Sequence, residues 1–138
     1  MVKNLETIKE KSAGLAEKYN LDLLVLFGSQ TTGLTHKESD VDIAYFSDAK
    51  LDFNEEILLN TELTEVFRND QVSLVNLKQA PPLLAKEIVS KGVVLYEKTS
   101  SLFSQLYAHV LRVYEEALPL FELRRHYLDY RMEQYQNA

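Results

Sequence analysis

An α+β fold is predicted for this chain: a small mixed β-sheet with helices packed on it, followed by a helical extension at the C-terminus. Three observations predict it. Four short apolar runs, over 21–27, 43–46, 71–77 and 93–96, have strand length and are bounded by Gly, by Asn-Asp or by polar residues. Between them lie longer segments in which Leu, Ile, Val and Phe recur every three or four residues. After residue 98 no further strand signal occurs, and the helical spacing runs on almost to the end. With 138 residues the chain is long enough for one domain with a real core, here divided into a core over 1–97 and C-terminal helices over 99–136.

Residues 3–19 place Leu5, Ile8, Leu15, Ala16 and Tyr19 on one helical face, with Lys and Glu between them; Gly14 weakens this helix and Asn20 stops it. Leu21 to Phe27 is a buried strand, ended by Gly28-Ser29. Gln30 to Leu34 is expected to form a helical turn and Thr35 to Ser39 a polar loop, in which His36 and Lys37 are solvated. Asp40-Val41-Asp42 leads into the strand Ile43–Phe46. Residues 52–68 form a helix opened by an Asp52/Glu55 capping box. Its inward face is read as Phe53, Ile57, Leu58, Leu63 and Phe67, and its glutamates 55, 56, 62 and 65 as a solvated face. Asn69-Asp70 is a turn before the strand over 71–77. Pro81-Pro82 starts a helix that turns Leu83, Leu84, Ile88 and Val89 inward and closes on Gly92 as a C′ residue, ahead of the strand over 93–96. Thr99 to Ser101 caps a helix that Pro119 must break or kink, and a second helix runs from about Leu120 to Gln134. This hairpin either completes the core or docks a partner; its Tyr and Arg content suits an interface.

Composition excludes several function classes. The formal net charge of −6 argues against a general DNA or RNA binder, which needs a basic surface. The absence of cysteine removes disulfides, thiolate nucleophiles and cysteine metal sites, and fits the cytoplasm. No run reaches membrane-span length, and the N-terminal MVKNLETIKEK does not read as a signal peptide.

The stretch over 21–46 carries the chemistry. Strand alternation points Asp40 and Asp42 the same way, so two carboxylates repel unless a cation lies between them. Mg²⁺ takes such oxygen ligands and brings substrate phosphates with it. Gly28 lets the backbone pass close to a phosphate, and Ser29 adds a hydroxyl and an N–H. N–H groups of the turn opened by Gln30 would help hold the nucleotide. A phosphate clamp facing a metal clamp suits nucleotidyl transfer, with ATP accompanied by Mg²⁺.

Gly28-Ser29, ten residues, then Asp40-x-Asp42 resembles the signature of the DNA polymerase beta-like nucleotidyltransferases, and the small size resembles their minimal members, the MNT proteins. The resemblance implies the polymerase beta-like fold and two metal ions held by three acidic residues. The third acid, which accepts the proton of the attacking hydroxyl, belongs in a strand of the form V-D-L-V-D-L. That strand here reads Val72-Ser73-Leu74-Val75-Asn76-Leu77, so its first aspartate is replaced by Ser73, which stands in the third-carboxylate position, and its second aspartate by Asn76. Asp70 could substitute only from a bent turn.

Several minimal nucleotidyltransferases are antitoxins that transfer AMP from ATP to a tyrosine of a HEPN-fold ribonuclease toxin. The stretch VYEEALPLFELRRHYLDYR resembles their tail, whereas Arg124 and Arg125 lie too close to His126 for the Arg-x4-His motif of the ribonuclease. The resemblance thus implies an antitoxin adenylyltransferase in a hetero-oligomer with such a toxin. Its alternatives are a weakened antitoxin that neutralises by contact and a stand-alone transferase acting on a small hydroxylated molecule.

Overall fold

A computed structural model describes residues 5–28 and 41–137. The order is α1 (Leu5–Lys18), β1 (Leu23–Phe27), β2 (Val41–Phe46), α2 (Phe53–Phe67), β3 (Val72–Asn76), α3 (Pro82–Lys91), β4 (Val93–Glu97) and α4 (Leu102–Gln136). The strands form one sheet in the order β3-β2-β1-β4, mixed as expected: β1 pairs antiparallel with β2 and β4, and β2 pairs parallel with β3. The parallel pair is joined through α2, as a crossover requires.

Helices cover both faces of the sheet. On one face Leu24, Leu26, Ile43 and Tyr45 pack against Ile8 and Ala16 of α1 and Leu59 and Leu63 of α2. On the other, Leu23, Val25 and Ala44 pack against Ala85 and Ile88 of α3 and the first turns of α4. The central strand β1 contributes to both cores, which is why it reads as an unbroken apolar run rather than an alternating one. Asn20 ends α1 in the left-handed region, at φ 56°, and the Asp52/Glu55 capping box forms in full.

Several expectations need correction. In α2 the buried residues are Leu59 and Leu63, while Phe53, Ile57 and Leu58 are exposed. Apolar residues lie on more than one side of this helix, and the contact with α1 and the sheet, not helical period alone, selects the buried side. In α3, likewise, Leu83 is exposed and Ala85 takes an inward place beside Ile88 and Val89. Besides Glu55 in the capping box, two glutamates of α2 are engaged: Glu56 accepts a hydrogen bond from the Tyr45 hydroxyl at 2.6 Å, and Glu62 pairs with Lys18 at 2.5 Å. Burial, reinforced by the Glu56 bond, pushes the Tyr45 phenol well above its ordinary range.

Gly92 caps α3 with an extended backbone, φ −76°, rather than as a left-handed C′ residue. Glycine is needed there because a Cβ would collide with the Val25 side chain and the Ile88 carbonyl. Ser101 is the N-cap of α4 but makes no side-chain cap; the Phe103 N–H donates instead to the Glu97 carboxylate at 2.7 Å.

The predicted C-terminal hairpin is one helix of 35 residues that continues through Pro119. Proline removes the bond to the Glu115 carbonyl. Glu115 and Pro119 are both exposed, so water can take that carbonyl and the helix persists on either side. The two halves of α4 differ: Phe103, Leu106 and Val110 join the core, while every described residue from Leu118 onward is exposed.

Candidate active site

Three of the residues singled out in the sequence come together at one end of the sheet. Asp42, the second residue of β2, stands in register with Phe27 of β1 on one side and Ser73 of β3 on the other. Alternation decides which face they share. Val41 and Ile43, either side of Asp42, and Val72 and Leu74, either side of Ser73, pack into the α1/α2 core. Ala44 and Val75, two residues on, pack into the opposite core. Asp42 and Ser73 therefore project side by side on the α3/α4 face, with about 4.8 Å between neighbouring strands. Asp42 is half-buried and Ser73 exposed.

Gly28 closes the other side. Its φ is +82°, and a Cβ there would run into the Asp42 carboxylate. Both the backbone conformation and the close approach therefore demand glycine. Phe27, read in the sequence only as part of a buried run, stands in register with Asp42, is half-buried and packs on the α3/α4 side of the sheet. No sequence signal marked it, because its place beside Asp42 comes from the pairing of β1 with β2.

Ser29, Gln30 and Asp40 lie outside the described residues, so the remainder of the phosphate clamp and the partner carboxylate of the metal clamp have no geometry to report. Among the described residues no three His, Asp or Glu side chains gather as a metal set. Asp70 is exposed in the turn before β3, where the Asn69 side chain accepts the Gln71 N–H at 2.8 Å. The donors that are described fit a hard cation, with a carboxylate at Asp42 and a neutral hydroxyl oxygen beside it at Ser73. A cavity of about 270 Å³ lies elsewhere, at the far end of β2, between Phe46, Leu77, Pro82 and Val110. Its walls are apolar apart from Lys78 and His109, and none of the site residues lines it.

A carboxylate at the start of a strand, a serine in register with it and a tightly approached glycine on the adjoining strand, on a mixed sheet of this order, define a nucleotidyltransferase domain. Residues 9–101 match the family "Polymerase beta, Nucleotidyltransferase", and the chain belongs to that family. Within it, the chain is similar to proteins named protein adenylyltransferase MntA. One, from Shewanella oneidensis, is 36% identical over 76 residues, which make up 55% of this chain and 54% of the relative. The match thus spans about half the length of that relative. Another, from Aphanizomenon flos-aquae, is 31% identical over 121 residues and 80% of each chain.

Solved structures share the fold. A toxin–antitoxin crystallised with AMP-PNP superposes with a TM-score of 0.74 at 28% identity, covering 90% of this chain and 98% of that one. A chain from the tri-AMPylated Shewanella oneidensis HEPN toxin in complex with MNT antitoxin gives 0.70 at 25% identity, over 93% and 98%.

Proposed function

We propose that this chain is an antitoxin nucleotidyltransferase that transfers AMP from ATP to a tyrosine of a cognate HEPN-type ribonuclease toxin and neutralises it. The observation that carries the proposal is the row Gly28–Asp42–Ser73 at one end of the sheet, in a chain of the polymerase beta family. The likeness to the MntA adenylyltransferases and to toxin–antitoxin structures supports the protein substrate. Asp40 and Asp42 would hold Mg²⁺, and Gly28, Ser29 and Gln30 the triphosphate. Bound there, Mg²⁺ would offset phosphate charge and orient the α-phosphate. The tyrosine oxygen forms a bond to the α-phosphorus, the bond to pyrophosphate breaks, and the phenolic proton leaves to solvent or a nearby base.

Ser73 bears on the rate. A serine at the third-carboxylate position carries no charge and cannot accept the proton, which withholds general-base help of roughly a hundred- to ten-thousand-fold. A tyrosine nucleophile, with a pKa of about 10, depends on that help less than an alcohol does. A slow enzyme is therefore favoured over an inert one. Ser73 is also the observation that favours the second reading, an antitoxin that neutralises by contact alone. Incubating the chain with its toxin, ATP and Mg²⁺ and measuring intact mass separates the two. Addition of AMP residues to the toxin supports transfer; an unchanged toxin mass with a stable complex leaves neutralisation by binding.

A further inference from the structure

The cavity at the far end of β2 is separate from the row Gly28–Asp42–Ser73. Phe46, in its wall, follows Asp42 on the same strand, and about 13 Å lies between them at about 3.3 Å per residue. Leu77, after β3, and Pro82 and Ala85, at the start of α3, form a second wall. The third is α4, whose Leu106, His109 and Val110 lie on one helical stripe. The depths are apolar: Leu77 and Ala85 are buried, and Leu106 and Val110 join the core. The polar groups stand at the open end, where Lys78 and His109 are exposed.

Both of these polar residues are basic, in a chain of net charge −6. Lys78 is laid across the mouth rather than extended into solvent. Its Nζ donates to the Asp48 carbonyl at 3.2 Å and lies 5.2 Å from the centroid of the Phe46 ring. Its backbone is held as well, because the Asn76 side-chain oxygen accepts the Lys78 N–H at 3.0 Å. Among the described residues no carboxylate pairs with Lys78 or His109. Lys78 therefore keeps N–H donors beyond the one given to Asp48, and His109 offers a ring N–H in either protonation state. Protein interiors leave few voids larger than a water, so a cavity of about 270 Å³ is more than a packing fault. Water is a poor occupant of its depths, where the side chains supply no hydrogen-bond partner.

We propose that this cavity binds a small monocarboxylate, with its apolar body between Phe46, Leu77, Ala85 and Val110 and its carboxylate on Lys78 and His109. At about 30 Å³ for each water-sized group, the volume of about 270 Å³ suits a ligand of roughly ten non-hydrogen atoms. A cation is repelled at this mouth, and a neutral head leaves the ammonium without a counter-charge. Two side chains donating from one end match the two oxygens of a single carboxylate. A phosphate brings a third oxygen and up to a second charge to one fixed ammonium. The bound acid touches β2, α3 and α4 at once, so it stabilises the packing of α4 on the sheet. The site does not depend on the antitoxin reading.

The test uses the full chain with cinnamate and octanoate as probes, against cinnamamide and phenyl phosphate. Calorimetry should give each carboxylate a Kd of about 0.1–1 mM. At about 10 mM each should raise the unfolding midpoint by about 5–9 °C. The amide and the phosphate should bind about tenfold more weakly or worse. Lys78→Met should weaken the carboxylates about tenfold while leaving the amide unchanged. Lys78 is exposed, so this variant should keep the ligand-free midpoint within about 2 °C. Val110→Phe should fill the cavity and abolish binding, and Lys91→Met, at the other end of α3, should change nothing. Hydrogen exchange should slow over 77–85 and 102–113 and not in α1. Saturating ATP with Mg²⁺ should leave the carboxylate affinity within about twofold, since the two sites lie about 13 Å apart along β2.

An absent midpoint shift with both carboxylates overturns the proposal. So does equal binding of the amide, tighter binding of the phosphate, or full carboxylate binding by Lys78→Met. Displacement of the carboxylate by ATP also overturns it, because the ligand then occupies the nucleotide site. Failure of carboxylate binding beside intact AMP transfer removes this inference alone, and carboxylate binding without transfer removes only the transfer reading.

Discussion

Replacing Ser73 by Asp tests whether this position shares a site with Asp42. The two residues are in-register neighbours on a parallel pair, so Ser73→Asp places a second carboxylate about 4.8 Å away across the strands. Two unit charges at that separation repel by about 0.9 kcal/mol in a water-like medium and about 3.5 kcal/mol at an effective dielectric of 20. Ser73 is exposed, so screening keeps the penalty toward the lower figure, about 1–2 kcal/mol. For 138 residues an unfolding entropy of about 0.3 kcal/mol/K converts this to a fall of about 3–7 °C in the unfolding midpoint. The fall should appear in EDTA and be reversed by millimolar Mg²⁺, because a cation between the carboxylates turns repulsion into binding. In the same variant AMP transfer to the toxin should rise, up to about a hundredfold, as the missing base is restored. Differential scanning calorimetry with and without Mg²⁺, beside a transfer assay at saturating ATP, measures both. An unchanged midpoint in EDTA, with no recovery by Mg²⁺ and no rate gain, would refute a shared site for Asp42 and Ser73.

Three further outcomes are expected. Gly28→Ala combines a strained φ with a collision against Asp42; it should cost about 1–3 kcal/mol by denaturant titration and abolish Mg²⁺-dependent ATP binding. Asp40→Ala with Asp42→Ala should remove that ATP binding in calorimetry while the circular dichroism spectrum is retained, and unchanged affinity would exclude both as metal ligands. Tyr45→Phe removes the buried bond to Glu56 and should cost about 1–2 kcal/mol. Because the folded pKa of Tyr45 is raised, its contribution is complete below the ordinary phenol value of about 10 and is lost as pH rises from there toward the raised folded value, so wild-type stability should fall more steeply than that of Tyr45→Phe above about pH 10 in thermal melts.

Much of the site was legible because its geometry is local. Strand alternation is a property of the chain itself, so the sequence around Ser73 already implied that Val72 and Leu74 turn away from it, and both pack in the α1/α2 core. Gly28 was legible as the break that ends β1, whereas its close approach to the Asp42 carboxylate was not. That Phe27 flanks Asp42 was not legible, because cross-strand register depends on how β1 and β2 pair and not on either strand alone.

The sequence by itself determined the α+β class, the four strands, the Asp52/Glu55 cap and the proline start of α3, since length, period and capping chemistry act within a few residues. Only the tertiary structure decided which side of each helix is buried. Phe53, Ile57 and Leu58 satisfy a helical period as well as Leu59 and Leu63 do, and packing against α1 and the sheet selects the latter. The cap of α4 also comes from outside its own first turn: Glu97, at the end of β4, reaches the Phe103 N–H. The course of α4 itself was decided in the same way. Local rules break a helix at Pro119, but the proline and the carbonyl it leaves free lie in solvent, so hydration replaces the lost bond and the helix continues.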